Sequence, residues 1–237
     1  DWMSQGARVS QNLLYNNDKE DLFVEVNHGP LVIDNNIFLS PMAISNQSQG
    51  SAYIHNLIAG EISVRNEPNR FTPYFLPHSI EMAGLTSIYG GDDRFFNNII
   101  VGKGTQMEEL TGLTGYNDVR LPVWLKNNVF YFGARPSQKD GNSLTDADFD
   151  PKISLSEEDS KVILTFKLNS AFINYKVSPQ STTDLGKTKV SKAFFDNPDG
   201  SQNFFDRDYS GNKRSAVSPF AGPFNVVKEG TNSVYVW

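Results

Sequence analysis

Short apolar runs alternate with polar turns along this chain, and one six-residue pattern keeps returning. An apolar residue opens it, Asn stands fourth and two apolar residues close it. It reads Val9-Ser10-Gln11-Asn12-Leu13-Leu14, Ile33-Asp34-Asn35-Asn36-Ile37-Phe38 and Tyr53-Ile54-His55-Asn56-Leu57-Ile58. It returns as Phe95-Phe96-Asn97-Asn98-Ile99-Ile100 and Leu125-Lys126-Asn127-Asn128-Val129-Phe130. The Asn positions 12, 36, 56, 98 and 128 lie 24, 20, 42 and 30 residues apart. A repeat near 20–24 residues with Asn before an apolar strand predicts an all-β solenoid, a parallel β-helix. The 42-residue interval is two coils, or one coil with an excursion through 61–90. The 30-residue interval is one coil plus a loop at 103–120. Asn suits such turns because it tolerates unusual backbone angles and bonds local backbone groups. Stacked Asn side chains also bond one another as amide ladders.

The pattern divides the chain. Residues 1–133 carry the expected coils and the groove. Residues 134–152 form a polar linker rich in Asp, Ser and Pro. In 153–237, the run Val162-Ile163-Leu164-Thr165-Phe166-Lys167-Leu168 places Leu164, Phe166 and Leu168 on one face. Turn-rich segments follow, such as Asn197-Pro198-Asp199-Gly200 and Ser210-Gly211-Asn212. Residues 134–237 are therefore expected to pack on the coils as an irregular β cap, since a solenoid end must be covered.

The repeat also acts as a ruler. Asp1 and Glu25 each stand 11 residues before an Asn, at 12 and 36. They are expected side by side on adjacent strands, about 4.8 Å apart. In Leu22-Phe23-Val24-Glu25-Val26 the apolar alternation turns Glu25 outward. Two outward carboxyls at about 5 Å match a retaining glycosidase, one the nucleophile and one the acid/base. Counting from Gly6 and Gly29 instead slips the register by one residue. Such a slip turns one acid inward, so the Asn register is preferred. The bland alternative is two solvated acids.

Composition narrows the field. The 237 residues carry a net charge of −6, which argues against a nucleic-acid partner. No Cys is present, so disulfides and thiolate metal sites are excluded. No apolar run reaches the roughly 18–20 residues of a membrane helix. The chain opens inside an apparent coil, because Gln5-Gly6 precedes its Asn by the same distance as Gln49-Gly50. It is therefore expected to be the C-terminal part of a longer protein, inactive or nearly so by itself. The rest of its groove would come from that protein or a companion chain. Localisation stays open, and a homo-oligomer is compatible.

Three phrases carry a family resemblance: Asp1-Trp2-Met3-Ser4-Gln5-Gly6, Glu25-Val26-Asn27-His28-Gly29-Pro30 and Gly90-Gly91-Asp92-Asp93-Arg94-Phe95. With them the chain resembles glycoside hydrolase family 120, through to Ser218-Pro219-Phe220-Ala221-Gly222-Pro223-Phe224. The resemblance implies a right-handed parallel β-helix and a retaining β-xylosidase acting on xylo-oligosaccharides. It implies Asp1 as nucleophile and Glu25 as acid/base. The family's inserted β-sandwich and upstream sugar pocket have no counterpart here. No metal or organic cofactor is expected.

The substrate-binding candidates are Asn27, His28, His78, Asp93 and Arg94. His28 follows the acid by three residues, and His78 lies in the excursion that could roof a groove. His55 sits in a ladder phrase and reads as structural. Asp92-Asp93-Arg94 follows a Gly-Gly turn, and is a surface turn, an Asp–Arg pair or a sugar clamp. The alternation places Trp2 inward, as core rather than sugar platform. Two rival functions stay open. One is a polysaccharide lyase or polygalacturonase-like enzyme using Asp92 and Asp93 as acids or calcium ligands, with Arg94 or His28 assisting. The other is a non-catalytic carbohydrate-binding β-helix.

Overall fold

The computed structural model describes residues 1–102 and 111–237. The five Asn phrases each supply two short strands. The strands before the Asn are Ala7–Ser10, Leu31–Asp34, Ser51–Ile54, Arg94–Phe96 and Trp124–Lys126, paired in that order in one parallel sheet. Those after it are Leu13–Leu14, Ile37–Phe38, Leu57–Ile58, Ile99–Val101 and Val129–Tyr131, with Leu144–Asp146 added. A third parallel sheet holds Glu20–Val24, Met42–Asn46 and Glu61–Val64.

The single-solenoid expectation is corrected. The described strands form five separate sheets, and none closes on itself. Two of the five are antiparallel. Glu67–Phe75 pairs with Met82–Ile88 as a hairpin within the 61–90 excursion. Lys161–Leu168 pairs with both Ser154–Glu158 and Gly230–Tyr235. Two short helices, Ser170–Asn174 and Thr182–Leu185, join the C-terminal region, which is thus more than an irregular β cap. The physical reason lies at the turns. Gln11, Asn35, His55, Asn97 and Asn127 all adopt left-handed φ between 54° and 61°. Each bends the chain out of one sheet just before the next begins. Part of the expected 103–120 loop, residues 103–110, lies outside the described residues; Thr114–Asn117 form a single 3₁₀ turn.

The left-handed residue is therefore the one before each repeat Asn, and the Asn does a different job. Asn12, Asn36, Asn56 and Asn98 each donate Nδ2–H to the Oδ1 of the next, ending on Asn128, at 3.0–3.1 Å. The same Oδ1 atoms accept backbone N–H groups at 2.9–3.1 Å. This amide ladder satisfies polar groups that burial would otherwise leave costly.

Alternation along the strands feeds two sides. Leu31, Ile33, Tyr53, Phe95, Phe38, Ile100 and Phe130 share one buried cluster. Their neighbours Val32, Ala52, Ile54 and Phe96 pack instead on Leu185, Phe195 and Phe205. Ile37, Leu57, Ile99 and Val129 pack on Leu164, Phe166 and Phe224. Both faces of the central strands of the first two sheets are buried, with the C-terminal region packed on their outer side. No helix among the described residues is long and apolar enough to cross a membrane.

Candidate active site

The 24-residue register continues back to Met3. The Met3 N–H donates to the Val26 carbonyl at 3.1 Å. The Gln11 N–H donates to the Asp34 carbonyl with the same stagger, as the Ala7–Leu31 pairing requires. Between them lies a one-residue irregularity, where the Gly6 N–H reaches the Pro30 carbonyl at 2.8 Å. This is where counting from Gly6 and Gly29 slips. The register is traced as far as Met3, where the Asp1–Ser4 turn and a left-handed φ interrupt it.

Asp1 is exposed, and its Oδ1 accepts the Trp2 N–H at 2.6 Å. Its carbonyl accepts the Ser4 N–H and hydroxyl, which form a tight turn. Val24 and Val26 on either side of Glu25 are buried, while the Glu25 side chain is 24% exposed. One of its oxygens is held by Arg70, Nη2 to Oε1 at 2.7 Å. The Arg70 guanidinium also lies 4.8 Å from the Trp2 ring centre. Trp2 is 41% exposed, which corrects its assignment to the core. Left-handed φ at Met3 ends the alternation there, and the indole N–H donates to Thr72 Oγ1 at 3.1 Å.

The remaining candidates separate into three places. Asn27 is buried directly behind Glu25. Its Nδ2–H donates to the Glu25 carbonyl and its Oδ1 accepts the Gly29 N–H, both at 3.0 Å. His28 is buried with both ring nitrogens engaged. Gln49 Oε1 accepts the Tyr89 N–H, so its amide N–H donates to His28 Nδ1 at 2.8 Å. His28 Nε2 then carries the proton and donates to the Thr72 carbonyl at 3.0 Å. Asn27 and His28 thus hold the acid-bearing segment and the hairpin in place. Gly29 permits this packing, since a Cβ there would lie 1.9 Å from the Gly50 carbonyl oxygen.

His78 is at the hairpin tip, 3.1 Å from Asp196 Oδ2. It lines a cavity of about 660 Å³ together with Gln5, Arg8, Phe75, Phe194 and Asp196. Met3 also lines that cavity, but neither Asp1 nor Glu25 does. Asp93 and Arg94 lie in the interior. Asp93 accepts the Ser51 N–H at 2.8 Å and the Asn46 amide at 3.1 Å. Burial raises its pKa well above the usual carboxylate range, so it holds its proton longer than a surface Asp. Arg94 donates to the Leu185 and Lys187 carbonyls at 3.0 and 2.7 Å, and to Asp92 Oδ1 at 2.7 Å. Of the three readings for this phrase, the structure has the Asp92–Arg94 pair.

The whole arrangement has a solved counterpart. The chain is similar to XylC. Against the structure of the XylC complex with xylose, it aligns at 40% identity over 99% of its length, with a TM-score of 0.94. It spans 40% of that protein's length. No family profile matches the chain, and no curated protein matches it.

Reading along the chain missed Arg70, Thr72 and Gln5, which lock the hairpin to the acid-bearing turns. Gln5 donates to the Phe75 carbonyl at 2.9 Å and accepts the Phe75 N–H at 3.0 Å. The only available signal was the excursion itself, because the repeat gives no register for residues inside it.

Buried His55 supplies a pH test. Its Nε2 accepts the Asn97 amide at 3.1 Å, and burial, then the Arg214 charge, push its pKa well below the ordinary value. In the unfolded chain its pKa is about 6.5. Above that pH both states are neutral and this histidine makes stability independent of pH. As pH falls through about 6.5, only the unfolded state takes the proton. Stability is then lost at up to about 1.4 kcal/mol per pH unit, until the lower folded pKa is reached. His28, also lowered by burial, acts in the same sense, while Asp93 opposes it. His55→Asn keeps a residue that tolerates φ of 56° and removes only its own contribution. Urea unfolding from pH 7.5 to 5 should show a shallower loss in the variant. Parallel curves would contradict it.

Proposed function

We propose that this chain is the catalytic part of a retaining β-xylosidase of glycoside hydrolase family 120, releasing single xylose units from the ends of xylo-oligosaccharides. The observation supporting the reading is the Met3–Val26 hydrogen bond in 24-residue register, which brings the segment that begins at Asp1 against the one that carries Glu25. The similarity to XylC, seen with xylose, supports the sugar.

In the first step, Asp1 attacks the anomeric carbon as Glu25 gives its proton to the departing glycosidic oxygen. In the second, Glu25 takes a proton from water, whose oxygen displaces Asp1. Two inversions retain the anomeric configuration. Asn27 and His28 serve this reaction by holding the turn that carries Glu25. The cavity holding His78 adjoins the same turn through Met3 and has room for further sugar units.

The test is the stereochemistry of the full-length protein on xylobiose and 4-nitrophenyl β-xyloside. Proton NMR should show β-xylose first, then slow mutarotation to the α anomer. The α anomer appearing first would overturn retention. Cleavage of other β-glycosides but not of xylosides would overturn the substrate.

A further inference from the structure

The acid/base residue has a partner that its own segment does not supply. Arg70 lies on the hairpin strand Glu67–Phe75, at a break in pairing. Glu67 faces Ile88 and Thr72 faces Thr86, so residues 68–71 stand against Ser87 alone. Such a bulge bends the strand and re-aims its side chains. Here it brings the Arg70 guanidinium to Glu25 Oε1 at 2.7 Å. The stack on Trp2 holds the guanidinium from the other side, and Thr72 Oγ1 ties that indole back to the same strand.

We propose that Arg70 is a positioning residue that decides which oxygen of Glu25 carries the proton. This rests on Glu25 being the acid/base. A guanidinium has donors and no acceptor. The oxygen it contacts must therefore accept, as the carbonyl oxygen of a neutral carboxyl. The proton is left on Oε2, and the carboxyl plane is fixed. In the first step the Oε2 proton passes to the glycosidic oxygen. The Asp1–carbon bond forms, and the carbon–oxygen bond breaks towards the leaving group. In the second step Oε2 takes a proton from water, the water oxygen bonds to carbon, and the Asp1–carbon bond breaks. Arg70 stays charged and bonded to Oε1 throughout. Without it, the proton is shared between two oxygens and the carboxyl turns freely.

The experiment compares Arg70→Met and Arg70→Lys in the full-length protein on two substrates. Xylobiose needs its leaving oxygen protonated. 2,4-Dinitrophenyl β-xyloside does not, because its phenolate leaves unaided. General acid catalysis contributes about 10²–10⁴-fold, and a misplaced acid loses part of that. In Arg70→Met, kcat/KM on xylobiose should fall by roughly 10- to 100-fold, a fraction of that contribution. On the dinitrophenyl substrate it should change by less than about threefold, since no proton is transferred in that step. Arg70→Lys, also a donor without an acceptor, should recover most of the loss. Equal losses on both substrates, or no loss on xylobiose, would overturn the proposal. Should Arg70→Met not fold, as judged by circular dichroism, Arg70→Gln reads the same split. Glu25→Gln is run alongside. If it keeps full xylobiose activity, Glu25 is not the acid/base and both readings fall. If it loses activity while Arg70→Met loses both substrates equally, only the role of Arg70 falls.

Discussion

Asp1→Gly in the full-length protein should lower kcat on aryl β-xylosides by about 10⁴–10⁶-fold, the scale seen when a member of a nucleophilic catalytic unit is removed. Azide should restore turnover by occupying the vacated space. It then attacks the sugar directly, from the face opposite the leaving group, and gives the inverted α-xylosyl azide. Glu25→Ala should behave differently. On 2,4-dinitrophenyl β-xyloside the covalent intermediate still forms, because that leaving group needs no acid. Its breakdown lacks a base, so intermediate accumulates and turnover slows. Azide attacks this intermediate from the opposite side and gives the β-xylosyl azide. The two anomers therefore assign the two carboxyls independently of any rate. Full activity in either variant would remove that residue from the mechanism. Identical azide products would show that the roles are not divided as proposed.

Arg94→Met should destabilise the protein by about 3–5 kcal/mol, the range for breaking one side of a buried ion pair. Arg94 is 2% exposed and lies between Trp124 and Phe195, 4.0 and 4.8 Å from their ring centres. Its removal frees the Leu185 and Lys187 carbonyls and leaves Asp92 with the Lys189 N–H and only the weaker pull of the Lys189 charge. Burial already pushes the Asp92 pKa up, and Arg94 is the chief influence opposing it. For a chain of this size the loss corresponds to a fall in Tm of roughly 6–20 °C. Adding Asp92→Asn should recover part of it, because a neutral amide needs no counter-ion. Calorimetry reads the stability, and KM of the folded protein should stay within about threefold if no transition-state contact is lost. A large rise in KM with Tm unchanged would instead make Arg94 a substrate ligand.

Legibility in the sequence followed the range of the interactions involved. The Asn phrases marked the strands, because an apolar period and a turn residue are local properties. Their spacing also gave the register between the first two strands, Ala7–Ser10 and Leu31–Asp34. Parallel neighbours are set by how many residues lie between turns, and Asn12 to Asn36 counts them. The Gly count failed because Gly6 bonds one residue out of step with the flanking pairs. The left-handed turns were assigned to the repeat Asn but belong to the residue before it. Composition does not distinguish these neighbours, since three of the five phrases have Asn at both positions.

The sequence alone thus determined where the strands lie, the alternation that turns Glu25 outward and the 24-residue step between the first two strands. The tertiary structure decided how these strands divide into separate open and antiparallel sheets, and what surrounds the acids. Arg70 reaches Glu25 across 45 residues through a hairpin bulge that has no repeat to count from. Arg94 reaches Lys187 across 93 residues, which turned a possible sugar clamp into a buried fastening. Trp2 came to the surface because a turn at Met3 ended its alternation. Period and spacing act along the chain. Which polar group is buried, and beside what, depends on packing between segments that the period does not relate.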